Sequence, residues 1–282
     1  MKCFYHKADL DGHCSGALVK MEYPECEMYP IDYHDSFPWE LLKDQNEKIF
    51  MVDFSLKAYD MDQLNRSCQL VWLDHHSTAI SANAHLTILG IKDTKKAACE
   101  LTWDWFHPNT PLPKWVEYIG RYDVWDHQKN PDILAYQYGL RLWNLDPHVG
   151  GEAMINWQLI QNDVPPLYMS GIISMGRALL TYQRRQDTVM CSAYSFETKL
   201  GQYRVLALNQ GLASSTVFDS KWDADKYDMM AAFVYTPKGN WKVTLYSTHP
   251  HIHCGEIAKQ YGGGGHPGAA GFHVPDLKGV LF

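Results

Sequence analysis

In the stretch HKADLDGHCSG (residues 6–16), Asp9 and Asp11 stand two residues apart with His6 just ahead of them. Similar residues return downstream, Asp53 in VDFS and Asp74 followed at once by His75 and His76 in WLDHHS. Several carboxylates with a few imidazoles are the donor set of a hard divalent cation, and the imidazoles move the preference toward manganese-like ions. Such a thiolate-free set points away from zinc. DLDG looks like the middle of an EF-hand loop, but with Gly12 at loop position 6 the first and twelfth positions fall on Lys7 and Leu18, where acids are required. The ordinary use of one such Asp is to cap a helix beginning near Gly12. A cap needs only one carboxylate, whereas here acids recur at several segment ends.

Neighbouring side chains diverge in a loop. His75 could therefore ligate a metal while His76 faces substrate, with Asp74 accepting a hydrogen bond that fixes a ring tautomer. RYDVWDH adds Asp123 and Asp126, either of which could also be a plain surface acid.

The elements that must position these residues can be read from apolar patterning. KCFYH, EMYPID, IFMVDFS and QLVWLD read as strands, and GALVKM and AACELTWDWF as helix pieces. Strands alternating with helices imply an α/β fold with a parallel sheet, which binds its ligands at the carboxyl ends of its strands. The acids fall at those ends. After about residue 164, Pro165-Pro166 and LYMSGIISMGRALLTYQRRQ read as a connecting helix, followed by the strand-like QYRVLALN, DMMAAFVYTP and NWKVTLYST. The last two are joined by the turn residues Lys238-Gly239-Asn240. The expected division is a parallel-sheet domain over 1–163, a helical linker over 164–190 and a smaller mixed-sheet α/β domain over 191–282.

Four glycines at 262–265 would ordinarily make a flexible linker, but only a short tail follows them. A phosphate-cradling turn fits better, with backbone N–H groups converging on an anion and His266 at its tip. No Lys-Ser or Lys-Thr follows, so this is not a Walker loop.

The 282 residues suit two domains. A net charge of −7 disfavours a protein that coats long duplex nucleic acid, although short nucleotides remain suitable. No apolar run approaches the roughly 18 residues of a membrane span, and no secretory leader is legible, so a cytoplasmic location is expected. Seven cysteines without a C-x-x-C pair argue against a disulfide framework and a zinc ribbon. Most of the aromatic residues, 13% of the chain, belong to cores, and some could stack on bases.

Taken in order, His6, Asp9-Leu10-Asp11-Gly12, Asp53, Asp74-His75-His76, Asp123 and Gly263-Gly264-Gly265-His266-Pro267-Gly268-Ala269-Ala270-Gly271 resemble the DHH phosphoesterase superfamily with its associated carboxyl-terminal domain. The resemblance spans nearly the whole chain. It implies two Mn²⁺ ions per active site, with Co²⁺ or Mg²⁺ as substitutes. His6, Asp9 and Asp53 would hold one ion, and Asp11, Asp53, His75 and Asp123 the other, with Asp53 shared. His76 would contact the scissile phosphate, with Gly264, Gly265 and His266 gripping substrate from the second domain. In place of the family's frequent Arg-Ser near the final helix stands Tyr246-Ser247, and the following His249, His251 and His253 read as a chance group of surface histidines.

The function implied is a phosphodiesterase acting on short oligonucleotides or on linear or cyclic dinucleotides. The alternatives are a phosphomonoesterase for pAp-like nucleotides and a non-catalytic nucleotide-binding regulator. The expected partner is the small substrate, not long duplex nucleic acid or a membrane, and a homodimer is left open.

Overall fold

The short apolar runs that end in an acid fold as neighbouring parallel strands. In the computed structural model, which describes residues 1–42, 46–149, 151–163 and 166–282, the chain divides into two compact units, Met1–Leu180 and Thr181–Phe282.

The first unit is built on β1 (Lys2–His6), β2 (Glu27–Ile31), β3 (Lys48–Val52) and β4 (Gln69–Leu73), in the order β2-β1-β3-β4 with every pairing parallel. Side chains alternate across the sheet. Phe4, Ile49, Met51, Leu70 and Trp72 enter one core, and Cys3, Tyr5, Phe50, Val52, Val71 and Leu73 enter another. Both faces are thus covered, which is why the central strands are nearly continuous apolar runs. The register decides the site: Tyr5 lies opposite Val52, and Val52 opposite Leu73. The next residue on each strand line, His6, Asp53 and Asp74, therefore comes level at one edge of the sheet. His6 in turn lies opposite Ile31, which sets Asp32 beside them.

The helices are α1 (Leu10–Glu22), α2 (Ala58–Ser67), α3 (Ser77–Ala82), α4 (Ala98–Phe106), α5 (Lys114–Asp123), α6 (Pro131–Leu140) and α7 (Gly151–Gln161). A core of Leu18, Trp103, Trp115, Ile119, Tyr136 and Trp157 joins α1 to α4 through α7. Residues expected to open the linker, Val164 and Pro165, lie outside the described residues. The helix expected there is α8 (Leu167–Tyr194), 28 residues long and continuous across the boundary between the units.

The second unit carries β5 (Phe196–Leu200), β6 (Tyr203–Asn209), β7 (Met229–Tyr235), β8 (Trp241–Tyr246), α9 (Cys254–Lys259), β9 (Gly264–Gly265) and β10 (Ala269–Val274). Its sheet order is β5-β6-β7-β8-β10-β9, antiparallel except for the parallel pair β6 and β7. The β7–β8 hairpin turns through Gly239 at φ +77°, and Thr236 N–H donates to Asn240 O at 2.8 Å.

The glycine run is not a linker. It leaves α9 and forms β9, the edge strand paired with β10. A Cβ on Gly263 would meet Gly271 O at 2.1 Å, and Gly265 has φ +144°. The backbone N–H groups of Gly263 and His266 already donate to Ala258 O and Ala269 O.

Candidate metal centre

His6 closes β1, and the chain turns at once into α1. Asp9 is the N-cap of that helix, its Oδ1 accepting from Gly12 N–H at 2.9 Å, while its Oδ2 lies 2.9 Å from His6 Nδ1. One carboxylate thus serves both uses weighed for it, cap and cluster member. Gly12 is required by the same turn, because a Cβ there would stand 2.0 Å from His6 O. Glycine lets the first turn of the helix press against the end of the strand.

Asp11 points inward from α1 and is buried. Its Oδ1 accepts from Cys99 N–H at 2.7 Å and its Oδ2 from Ala98 N–H at 2.9 Å, satisfying the free donors at the start of α4. Each carboxylate oxygen keeps a second lone pair. His75 Nε2 lies 3.7 Å from Asp11 Oδ2.

Asp53 is 1% exposed and has φ +54°, a conformation a non-glycine residue adopts at a cost of about 1–3 kcal/mol. Its N–H is held by Leu73 O at 2.9 Å. Its side chain reaches both halves of the cluster: Oδ2 is 3.5 Å from His6 Nδ1, and Oδ1 is 3.3 Å from His75 Nε2 and 3.8 Å from His76 Nδ1. Asp123, the last residue of α5, brings Oδ2 to 3.3 Å from His75 Nε2. Asp126 instead pairs with Arg121 at 2.8 Å.

Asp74 has a different task. Its Oδ1 accepts from the N–H groups of His75 and His76 at 2.7 and 3.0 Å and contacts His76 Nδ1 at 2.7 Å, while its Oδ2 accepts from Trp72 Nε1 at 3.1 Å. The buried carboxylate fixes the loop and the ring of His76. His75 is left to face the acids.

Among the described residues, three groups of side chains have donor atoms lying within 4.8 Å of one another: His6, Asp9 and Asp53; Asp11, His75 and Asp123; and Asp53, His75 and His76. Asp53 Oδ1 and His6 Nδ1 are shielded from solvent without a directional hydrogen bond, although Asp9 Oδ2 is only 2.9 Å from the latter. Two shielded atoms without directional hydrogen bonds, set among acids and imidazoles converging from five elements, fit a divalent cation better than they fit each other.

Electrostatics point the same way. Burial, then the charge of Asp53, pushes the Asp11 carboxyl up to about 8. Burial, reinforced by Asp9 and Asp123 against a hydrogen bond from His6, pushes Asp53 far above the usual carboxylate range. Asp123 is raised by burial and Asp11. Burial disfavours the charged form of His6, but hydrogen bonding to Asp53 and Asp9 outweighs it and lifts the ring to about 10. His76, likewise opposed by burial, is lifted to about 9 by Asp74. Carboxylates crowded into one dry space lack a counter-charge, and a bound cation would supply it.

Two residues escaped the sequence reading. Asp32 Oδ1 lies 3.7 Å from His6 Nε2, and the Tyr33 ring centroid lies 5.5 Å from that of His6. EMYPID ends on Asp32, so the strand-end rule applied to the other strands would have found it. Gly264, Gly265 and His266 belong to the second unit, in β9 and the turn after it, with His266 exposed. The histidines at 249, 251 and 253 form no candidate metal group among the described residues. His249 Nε2 contacts Tyr227 O at 3.0 Å, and His253 caps α9.

Residues 209–280 match the DHHA1 domain family. The chain is 27% identical to an uncharacterised protein of Acanthamoeba polyphaga mimivirus, over 98% of this chain and 68% of that one. It is 22% identical to the oligoribonuclease NrnB of Bacillus subtilis (strain 168), over 99% of this chain and 74% of the relative. Among solved structures, the pGpG-specific phosphodiesterase PggH from Vibrio cholerae shares its fold, with a TM-score of 0.53 at 12% identity over 97% of this chain and 92% of that one. Residues 209–280 thus form a DHHA1 domain, and that match, together with the oligoribonuclease relative, points to the DHH phosphoesterase superfamily.

Proposed function

We propose that the protein is a divalent-metal-dependent phosphodiesterase that hydrolyses short oligonucleotides or dinucleotides. The observation that carries this reading is the position of Asp53, whose two oxygens face the His6 side and the His75 side of one buried acidic cluster. His6, Asp9 and Asp53 would hold one cation, and Asp11, Asp53, His75 and Asp123 a second, with Mn²⁺ favoured by the mixed carboxylate and imidazole donors. Cations held there would polarise the phosphoryl group and would stabilise both the attacking and the leaving oxygen of an in-line displacement.

The chain's own residues do the rest. Asp74 holds Nδ1 of His76, and that hydrogen bond favours a ring that carries its proton there. When the ring is charged, its Nε2–H would be a donor for a phosphoryl oxygen, strongest where negative charge grows during displacement. Gly264, Gly265 and His266 serve substrate recognition. With the His266 N–H already donated to Ala269 O, its contribution comes from the exposed imidazole.

The relatives' names support nucleotide diesters as the substrate class, since one is an oligoribonuclease and another a pGpG-specific phosphodiesterase. The test is a panel of pGpG, other linear dinucleotides, cyclic dinucleotides, pAp and a short RNA, each incubated with protein and Mn²⁺. Turnover should be fastest on a diester of the first or last class. Preferential release of phosphate from pAp would replace this reading with a phosphomonoesterase.

A further inference from the structure

Tyr33 stands on the loop after β2, and that loop is tightly tied. Tyr33 N–H donates to Asp32 Oδ1 at 2.7 Å, Asp32 N–H to Asp35 Oδ2 at 2.9 Å, and Asp35 N–H to Asp32 O at 2.9 Å. Lys7, the residue after His6, clamps Asp35 Oδ2 at 2.5 Å. The tyrosine ring leans on Phe54 with centroids 4.9 Å apart, and it lies 5.5 Å from the ring of His6 and 6.1 Å from that of His76. Even so, the residue is 49% exposed. The other exposed aromatic residues of this unit, Tyr59, Trp125 and Tyr168, have no ring contact with a cluster residue among the described residues.

An aromatic ring that is half in water, fixed from behind and mounted beside the imidazoles is poorly explained as core. Leaving it exposed forgoes hydrophobic burial, while its loop hydrogen bonds remove the freedom it would otherwise lose on binding a ligand. We propose that Tyr33 is the stacking platform for a nucleobase of the substrate, holding the nucleoside next to the scissile phosphate. This inference rests on the nucleotide-diester reading above. A phosphate held at His76, beside the cation position that His6 lines, carries its nucleoside within reach of the neighbouring ring. Stacking accepts every base, because each has a π-face, so the platform gives affinity for nucleotides over base-free esters without selecting a sequence. The ring matters here and the hydroxyl does not.

The experiment compares wild type, Tyr33→Phe and Tyr33→Leu in Mn²⁺, with pGpG and with methyl p-nitrophenyl phosphate, a diester without a base. Metal content and Tm are measured for each variant. Tyr33→Leu should raise KM for pGpG by about 5- to 100-fold more than for the base-free ester, and Tyr33→Phe should stay near wild type on both. Equal losses of Tyr33→Leu on the two esters, or a loss in Tyr33→Phe as large as in Tyr33→Leu, would overturn the platform. A wild-type protein that cleaves the base-free ester but no nucleotide would instead remove the substrate class, and the platform with it.

Discussion

His75 Nε2 stands 3.3 Å from Asp53 Oδ1, and the other oxygen of the same carboxylate turns toward His6. Among the described residues, Asp53 is the one acid common to the candidate groups that contain His6 and His75. Asp53→Asn keeps the shape and removes the charge, so turnover should vanish in a protein that still folds. Circular dichroism and Tm check the fold, and hydrolysis of the best dinucleotide checks the chemistry. Near-normal rates in the variant would remove the shared-carboxylate scheme.

The two adjacent histidines should separate experimentally. His75 faces three acids, whereas His76 is held by Asp74. His75→Ala should lower metal occupancy, and His76→Ala should lower kcat with metal largely retained. Asp74→Asn, which acts only by positioning, should lose about 10- to 100-fold in activity. Elemental analysis beside steady-state kinetics makes the comparison, and equal metal loss in both histidine variants would contradict the division of roles.

Stability should depend on pH in a direction the cluster sets. Asp11 and Asp53 are raised chiefly by burial, so between about pH 4 and pH 8 the folded, metal-free protein holds protons that the unfolded chain has released. Their contribution is fully present below the unfolded carboxyl range and is lost as pH rises through the folded values. Raised His6 and His76 act in the same sense, losing theirs toward pH 9 to 10. The Tm of metal-free protein should accordingly fall as pH rises from 5 to 8, and Mn²⁺ at about 100 times its Kd should add ~2.7 kcal/mol. A flat profile, or no stabilisation by the ion, would count against the crowded-carboxylate account.

Gly264 offers a clean probe of the second unit. Unlike Gly263 and Gly265, it has open space where a Cβ would go and no positive φ. Gly264→Ala should thus fold normally, and any rise in its KM would report a close approach of substrate. His266→Ala should raise KM for dinucleotides by about tenfold to a hundredfold more than for a base-free diester, the worth of one charge-assisted hydrogen bond. If the two substrates suffer equally, the recognition role is wrong.

Much of this was legible because parallel strands buried on both faces leave an apolar run that stops at an acid. The runs ending at His6, Asp53 and Asp74 marked both the sheet and the edge where the acids gather, and the pairing of Tyr5 with Val52 and Val52 with Leu73 explains why they meet. Less legible was the second use of each group. That Asp11 ties down the start of α4, or that Asp74 holds Trp72 as well as His76, depends on long-range packing that spacing does not encode. The strand role of the glycine run was hidden for a similar reason. Gly263 and Gly265 answer to the close passage of β10, and Gly262 and Gly265 to positive φ, which a local reading cannot distinguish from an anion cradle.

The most direct test of the central claim is a Mn²⁺ titration of chelator-stripped protein, following bound ion and pGpG hydrolysis in the same samples. The account expects no turnover in the stripped protein, activity that rises with occupancy, and saturation near two ions per chain in wild type but fewer in Asp53→Asn. Full hydrolysis by the stripped protein, or activity indifferent to the bound ion, would contradict it.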